Sequence, residues 1–140
     1  IRQDMPKGTV TEGLIDAMFP FDNRFVVMEL SGKDLLDAFA VMANRGGDAV
    51  SKELKIIYDK NRKITSAKFK GKEIKPNATY KFITIDYLAN GGDYMVSLKN
   101  GKRLFVDDVK YGLHILRYLR GLNEAGRVIN ASDEPRMLEK

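Results

Sequence analysis

Three strand-like segments, Leu54–Tyr58, Ile64–Lys70 and Thr79–Leu88, follow one another with no helical pattern between them. Successive parallel strands need a crossover of a dozen or more residues, usually a helix, so this run argues against a doubly wound parallel sheet. Asp59-Lys60-Asn61-Arg62 joins the first two segments as a hairpin, and Gly71, Pro76 and Asn77 mark the turn before the third. Thr79–Leu88 carries apolar residues in both alternating sets: Tyr80 and Phe82 in one, Ile83, Ile85 and Tyr87 in the other. That pattern predicts a strand covered on both faces.

Helical signals bracket the run. Thr9 or Thr11 opens a first helix, Thr9 standing at capping-box distance from Glu12. Its apolar stripe is Leu14, Ile15 and Met18, and Pro20 ends it, because the residue before a proline is pushed out of helical geometry. Phe25–Leu30 has the β-branched and apolar content of a strand. Ser31 then caps a second helix, with Asp34 at its third position and Leu35, Leu36, Phe39, Ala40 and Met42 on a core face. The longest helix is predicted over Val106–Leu122, with Val109, Leu113 and Leu116 in phase. Gly126 closes it, Arg127–Asn130 reads as a last strand, and the tail beyond Pro135 as frayed. Helices and hairpin strands mixed in this order predict an α+β fold, one domain over residues 1–140.

Composition narrows the chemistry. The chain has no Cys, which excludes disulfides and thiolate metal sites, and its one histidine, His114, cannot build a multi-histidine centre. No apolar run is long enough to span a membrane. A net charge of +5 suits anionic partners without choosing among phosphates, nucleic acid and acidic surfaces. The first residue is Ile1 rather than Met, so the chain is expected to have been processed or cut from a larger protein.

Three features have a plain structural explanation. Asp107-Asp108 fits negative charge at a helix N-terminus better than a metal site. His114, set among Leu113, Ile115 and Leu116, reads as structural or surface. The hairpin region is rich in cations: Lys52, Lys55, Lys60, Arg62, Lys63, Lys68, Lys70, Lys72 and Lys75. It could bind single-stranded nucleic acid, but only Tyr58 and Phe69 are interleaved, and alternate lysines more often mark a solvated face or a protected edge.

Two loops differ from the rest. Phe19-Pro20-Phe21-Asp22-Asn23 sets an aromatic on a stiff bend with an amide two residues on. Asp86-Tyr87-Leu88-Ala89-Asn90-Gly91-Gly92-Asp93 sets an aromatic before a Gly-Gly bend with an acid just beyond it. Together they resemble the C-terminal domain of the 5'-nucleotidase family, which includes bacterial periplasmic UDP-sugar hydrolases and animal ecto-5'-nucleotidases. That domain runs from Asn-Gly-Gly-Gly-Ile-Arg through Pro-Phe-x-Asn and a hydrophobic-Gly-x-x-Leu helix start to aromatic-Leu-Ala-x-Gly-Gly-Asp-Gly. The matching residues stand in the same order: Ile1-Arg2, Pro20-Phe21-Asp22-Asn23, Leu30 to Leu35, Tyr87 to Asp93, and a closing Gly126-Arg127-Val128. The family's second aromatic is usually Phe where this chain has Tyr87, and Tyr94 stands where the family has a glycine after the acid.

The resemblance implies the following roles. Phe21 and Tyr87 sandwich a nucleobase, and stacking on an aromatic contributes about 1–3 kcal/mol per base. Asn23 hydrogen-bonds the base edge. Asp93 accepts from ribose hydroxyls, as an ionised carboxylate only accepts, while Gly91 and Gly92 let the backbone bend close to the sugar. Arg2 faces the phosphate or ribose. The resemblance places hydrolysis on a separate N-terminal metallophosphoesterase domain with two divalent metal ions, supplied in cis or, if this chain is an accessory subunit, in trans. No catalytic residue and no cofactor are expected in the present chain, which alone should bind a nucleotide or nucleoside and hydrolyse nothing. A periplasmic or cell-surface location is implied in the same way.

Overall fold

The computed structural model describes residues 2–130 and 132–140. Ile1, the first residue of the Ile-Arg match, lies outside them.

Helix α1 spans Glu12–Met18 and is followed by strand β1, Arg24–Ser31. Thr11 caps α1, its hydroxyl accepting from the Leu14 N–H at 3.2 Å. Of the two candidate threonines the nearer one does the work, and Glu12 turns outward to Arg120, whose Nε lies 2.9 Å from Glu12 Oε1. Helix α2, Gly32–Asn44, starts where β1 stops. Ser31 caps it through the Asp34 N–H at 3.1 Å, and the Asp34 carboxylate accepts from Ser31 at 2.5 Å and from Asn100 at 2.7 Å. Those two hydrogen bonds hold the Asp34 carboxyl below the usual carboxylate range.

The start of α2 also explains a glycine. The N–H groups of Gly32 and Lys33, orphaned at a helix N-terminus, donate to Ala78 O at 2.8 Å and Pro76 O at 2.9 Å. The 75–78 turn therefore presses on the helix, and a Cβ at Gly32 would lie 2.0 Å from the Lys75 carbonyl oxygen.

Strands β2 (Leu54–Tyr58), β3 (Ile64–Phe69), β4 (Lys72–Glu73) and β5 (Thr79–Ile85) follow. Helix α3 is one short turn, Asp86–Ala89, and two 3-10 turns cover Gly92–Tyr94 and Val96–Asn100. Strand β6 is Lys102–Lys110, helix α4 Tyr111–Glu124 and strand β7 Met137–Glu139. One sheet has the order β5-β1-β6, antiparallel throughout; the other is β4-β3-β2-β7, with β7 parallel to β2.

The main core joins the two sheets. Leu30 from β1, Leu35, Ala38 and Phe39 from α2, Ile56 from β2 and Ala67 from β3 form one buried cluster, closed by Ile74, Met95 and Leu98. A large apolar side chain contributes about 1.5–3 kcal/mol on burial, so Leu35 and Phe39 make α2 the element that ties one sheet to the other. A smaller cluster, Val26, Met28 and Ala89, anchors α3 on β1.

The mixed α+β architecture agrees with the sequence, as do both hairpin strands, both caps and the end of α4, where Gly126 takes a left-handed φ of 67°. Four expectations are corrected. The helix predicted over Val106–Leu122 begins only at Tyr111, and Val106 belongs to β6, paired with Val26. Thr79–Leu88 ends as a strand at Ile85, and only one face is covered: Tyr80 and Phe82 pack inward, whereas Ile83 is 59% exposed. Arg127–Asn130 forms no strand. The tail instead adds β7 beside β2, with Ile56↔Met137 and Ile57↔Leu138 in register.

Candidate functional site

The Pro20 loop is fixed at both ends. Phe19 turns inward, its ring edge-on to Tyr111 at 5.3 Å. Phe21, two residues on, is 45% exposed. Arg2 reaches the same loop: its backbone N–H donates to Met18 O at 3.1 Å and its guanidinium sits over the Phe21 ring, 5.1 Å from the centroid. On the far side the loop is held by the corner between β6 and α4. Asp22 pairs with Lys110, the Asn23 carbonyl accepts from the Tyr111 N–H at 2.9 Å, and Arg24 donates to the Asp108 carbonyl.

The Gly-Gly loop is built differently. Ala89 is buried, which anchors α3, and Gly91 then takes a left-handed φ of 86°. Asp93 and Tyr94 follow at φ 51° and 63°, uncommon for residues with side chains. Tyr87 folds back over this bend. The far end of its ring lies on Gly92, where a Cβ would meet Cζ, Cε1 and Cε2 at 2.5, 2.6 and 2.7 Å. The Tyr87 hydroxyl donates to Asp93 Oδ1 at 2.9 Å, and Tyr87 remains 47% exposed.

One side-chain bond links the loops. Asn23 Nδ2 donates to Asp86 Oδ1 at 2.8 Å, and the same oxygen accepts from the Tyr87 backbone N–H at 2.8 Å. The bond stands two residues after one aromatic and one residue before the other. Burial pushes the Asp86 carboxyl up, but hydrogen bonds from Asn23 and from the backbone of Arg24 and Tyr87 outweigh it and leave the group below the usual carboxylate range. The structure thus brings Arg2 to Phe21, Tyr87 to Gly92 and Asp93, and Asn23 to the segment carrying Tyr87. Phe21 and Tyr87 are not in ring-to-ring contact with each other.

Two participants escape the motif. Asp86 precedes Tyr87 directly and is the acceptor that joins the loops, a role visible only once β1 and β5 pair. Arg45, at the end of α2, lies 3.4 Å from the Asp93 carbonyl oxygen and 3.9 Å from Asp93 Oδ2, while its Nε holds Asp48 at 2.7 Å. A depression of about 840 Å³ borders Asp93, with Arg45, Leu88 and Arg136 in its lining. Two other cavities, about 930 Å³ beside α1 and α4 and 560 Å³ beside α2 and β5, touch none of the predicted site residues.

The other candidates resolve into structure. Asp107 and Asp108 lie at the end of β6, before α4 begins. Asp107 accepts from the Val109 N–H at 2.8 Å, and its other oxygen is 2.9 Å from His114 Nε2, while the His114 ring packs on Phe25 at 5.6 Å. The Val109 N–H, with His114 beside it, holds the Asp107 carboxyl low. In the cationic hairpin, Lys55 pairs with Glu134 at 3.0 Å, Arg62 with Glu139 at 2.8 Å and Lys68 with Glu73 at 3.6 Å. Among the described residues no group of three or more His, Cys, Asp or Glu could hold a metal ion, and no helix is long and apolar enough to cross a membrane.

The family model described as "5'-nucleotidase, C-terminal domain" matches residues 1–100. An apyrase of Tabanus yao is 31% identical over 74% of this chain and 22% of its own length. A cell wall protein of Listeria monocytogenes is 28% identical over 94% of this chain and 18% of its own. Among solved structures, a 5'-nucleotidase precursor from Thermus thermophilus superposes with a TM-score of 0.82 at 28% identity, covering 99% of this chain and 29% of that one. The chain thus spans about a fifth to under a third of these relatives. With the family model covering most of its length, the chain belongs to the 5'-nucleotidase C-terminal domain family.

Proposed function

We propose that this chain is the nucleotide- or nucleoside-binding specificity domain of a 5'-nucleotidase-type phosphohydrolase. The observation that carries the reading is the Asn23–Asp86 bond, which ties together two loops whose aromatics, Phe21 and Tyr87, are each left about half exposed. Half-exposed rings on fastened loops are suited to stacking a flat ligand, because little side-chain freedom remains to be lost on binding. Asp93 stands beside Tyr87 as the acceptor for ribose hydroxyls, and Arg2 beside Phe21 as a cation for phosphate or ribose. Asn23, whose side-chain NH₂ already serves Asp86, positions the loops and offers its side-chain oxygen, Oδ1, to a base edge.

Hydrolysis would occur on a separate domain with two divalent metal ions, in cis or in trans. Among the described residues no three or more His, Cys, Asp or Glu side chains stand together to hold a metal ion. The domain would act by positioning, presenting the phosphate to chemistry elsewhere. A periplasmic or cell-surface location is proposed with it, supported by the likeness to the cell wall protein.

Titration with AMP, UMP or adenosine, followed by amide NMR, tests the reading. Shifts should concentrate on residues around Phe21, Tyr87 and Asp93, and Phe21→Ala or Tyr87→Ala should weaken them at least fivefold, the low end of about 1 kcal/mol per stacked base. Flat titrations to millimolar nucleotide would reject it.

A further inference from the structure

We infer that the Tyr87 hydroxyl, separately from the Tyr87 ring, sets the sugar selectivity of this site. It does so by holding the Asp93 carboxylate in position for a vicinal diol. The inference rests on the nucleoside-binding reading and goes beyond it by assigning two positioning residues, Tyr87 through its hydroxyl and Arg45.

Asp93 is a difficult residue to aim. It sits at φ 51° between Gly92 and a second left-handed residue, Tyr94, on an exposed bend. A carboxylate there has no packing of its own to fix its rotamer. Two neighbours orient it. The Tyr87 hydroxyl donates to Oδ1 at 2.9 Å, a charge-assisted bond. Arg45 approaches from the end of α2, 3.4 Å from the Asp93 main-chain oxygen and 3.9 Å from Oδ2. Arg45 is itself braced by Asp48 at 2.7 Å.

Each carboxylate oxygen has two lone pairs. A single donor at Oδ1 therefore leaves both oxygens able to accept from a ribose 2'- and 3'-hydroxyl. The Tyr87 oxygen, its hydrogen engaged with Asp93, presents lone pairs next to the same diol. Gly92 makes the arrangement possible, because any Cβ there would displace the end of the ring that carries the hydroxyl. Stacking needs the ring alone, whereas the diol needs the acid where the hydroxyl puts it. Tyr87→Phe separates the two functions.

The experiment compares adenosine with 2',3'-dideoxyadenosine, both titrated by NMR into the wild-type chain, Tyr87→Phe, Arg45→Met and Arg45→Lys. The wild type should bind adenosine more tightly. Tyr87→Phe should lower adenosine affinity about fivefold, a net hydrogen bond of about 1 kcal/mol, and leave the dideoxy compound within a factor of two. Arg45→Met should narrow the ratio in the same direction, and Arg45→Lys should restore part of it. A loss of fold or of stacking would weaken both ligands together, so a ratio unchanged in Tyr87→Phe overturns the inference while the nucleoside-binding reading stands. A wild type that binds neither ligand overturns both.

Discussion

Gly91 and Gly92 are adjacent, but substituting them should fail in opposite ways. At Gly92 the backbone tolerates a side chain and the neighbourhood does not. An added methyl would meet three atoms of the Tyr87 ring at 2.5–2.7 Å, so the ring must swing away and its bond to Asp93 must break. The ring is half exposed and the hydrogen bond is at the surface, so the loss in stability is about 0.5–1 kcal/mol. Alanine in place of glycine recovers about 0.4–1 kcal/mol by restricting the unfolded chain. Gly92→Ala should therefore unfold within about 1 kcal/mol of the wild type. Binding is another matter, because the displaced ring forfeits stacking of about 1–3 kcal/mol, roughly a 5- to 150-fold loss of nucleoside affinity.

At Gly91 the balance is reversed. Its φ of 86° is left-handed, and the nearest atoms to a Cβ there belong to the flexible Lys99 side chain, at 2.9 and 3.3 Å, and to Val96 Cα at 3.7 Å. Gly91→Ala should cost about 1–2 kcal/mol of stability and change nucleoside affinity less than Gly92→Ala does. Urea unfolding and NMR titration of both variants measure the two effects. If Gly92→Ala bound adenosine as the wild type does, the assignment of the Tyr87 ring to base stacking would be refuted.

The remaining tests fall on other parts of the molecule. Gly32→Ala places a Cβ 2.0 Å from the Lys75 carbonyl oxygen, a backbone atom that cannot rotate away, so urea unfolding should report a loss of about 3 kcal/mol or more. Asn23→Ala removes a donor to Asp86 and should cost about 1 kcal/mol at neutral pH. Because the Asp86 carboxyl is lowered in the fold, its contribution is present above the unfolded value of about 3.9 and is lost as pH falls through the folded value. The gap between wild type and Asn23→Ala, read from urea midpoints, should thus persist down to about pH 5 and narrow as pH falls below about 4. Replacing Lys68, Lys70 and Lys72 by Ser should leave nucleoside affinity unchanged, since those residues lie on or beside β3 and β4, whereas the two aromatic loops flank β1 and β5 of the other sheet.

What could be read from the sequence was local. Caps, hairpin turns and the two aromatic loops are written in neighbouring residues: Ser31 with Asp34, Asp59 accepting from Asn61 and Lys63 at 2.9 Å, Gly91 at its left-handed φ. The misread segments depend on distant partners. Lys102–Lys110 contains Val106 and Val109 in phase with Leu113 and Leu116, so periodicity alone extends the helix backward. Pairing with β1, some eighty residues away, overrides that phase, and the compact apolar run Leu104-Phe105-Val106 after Gly101 was the local sign of a strand. Met137–Glu139 is too short to announce itself and becomes a strand only because β2 offers it an edge.

The same division runs through the candidate site. Phe21, Tyr87, Gly91, Gly92 and Asp93 belong to recognisable loops, but nothing local says how two loops more than sixty residues apart are held together. That is decided by β1 pairing with β5, in the register Phe25↔Ile85, which sets Asn23, just before one strand, within hydrogen-bond reach of Asp86, just after the other. A slip of one residue would send every β1 side chain to the opposite face and carry Asn23 away from Asp86. Val26, Met28 and Leu30, all buried on one face of β1, oppose such a slip with about 1.5–3 kcal/mol each. The core of this sheet therefore does more than stabilise the domain: through the register it enforces, it fixes the spacing of the two aromatic loops.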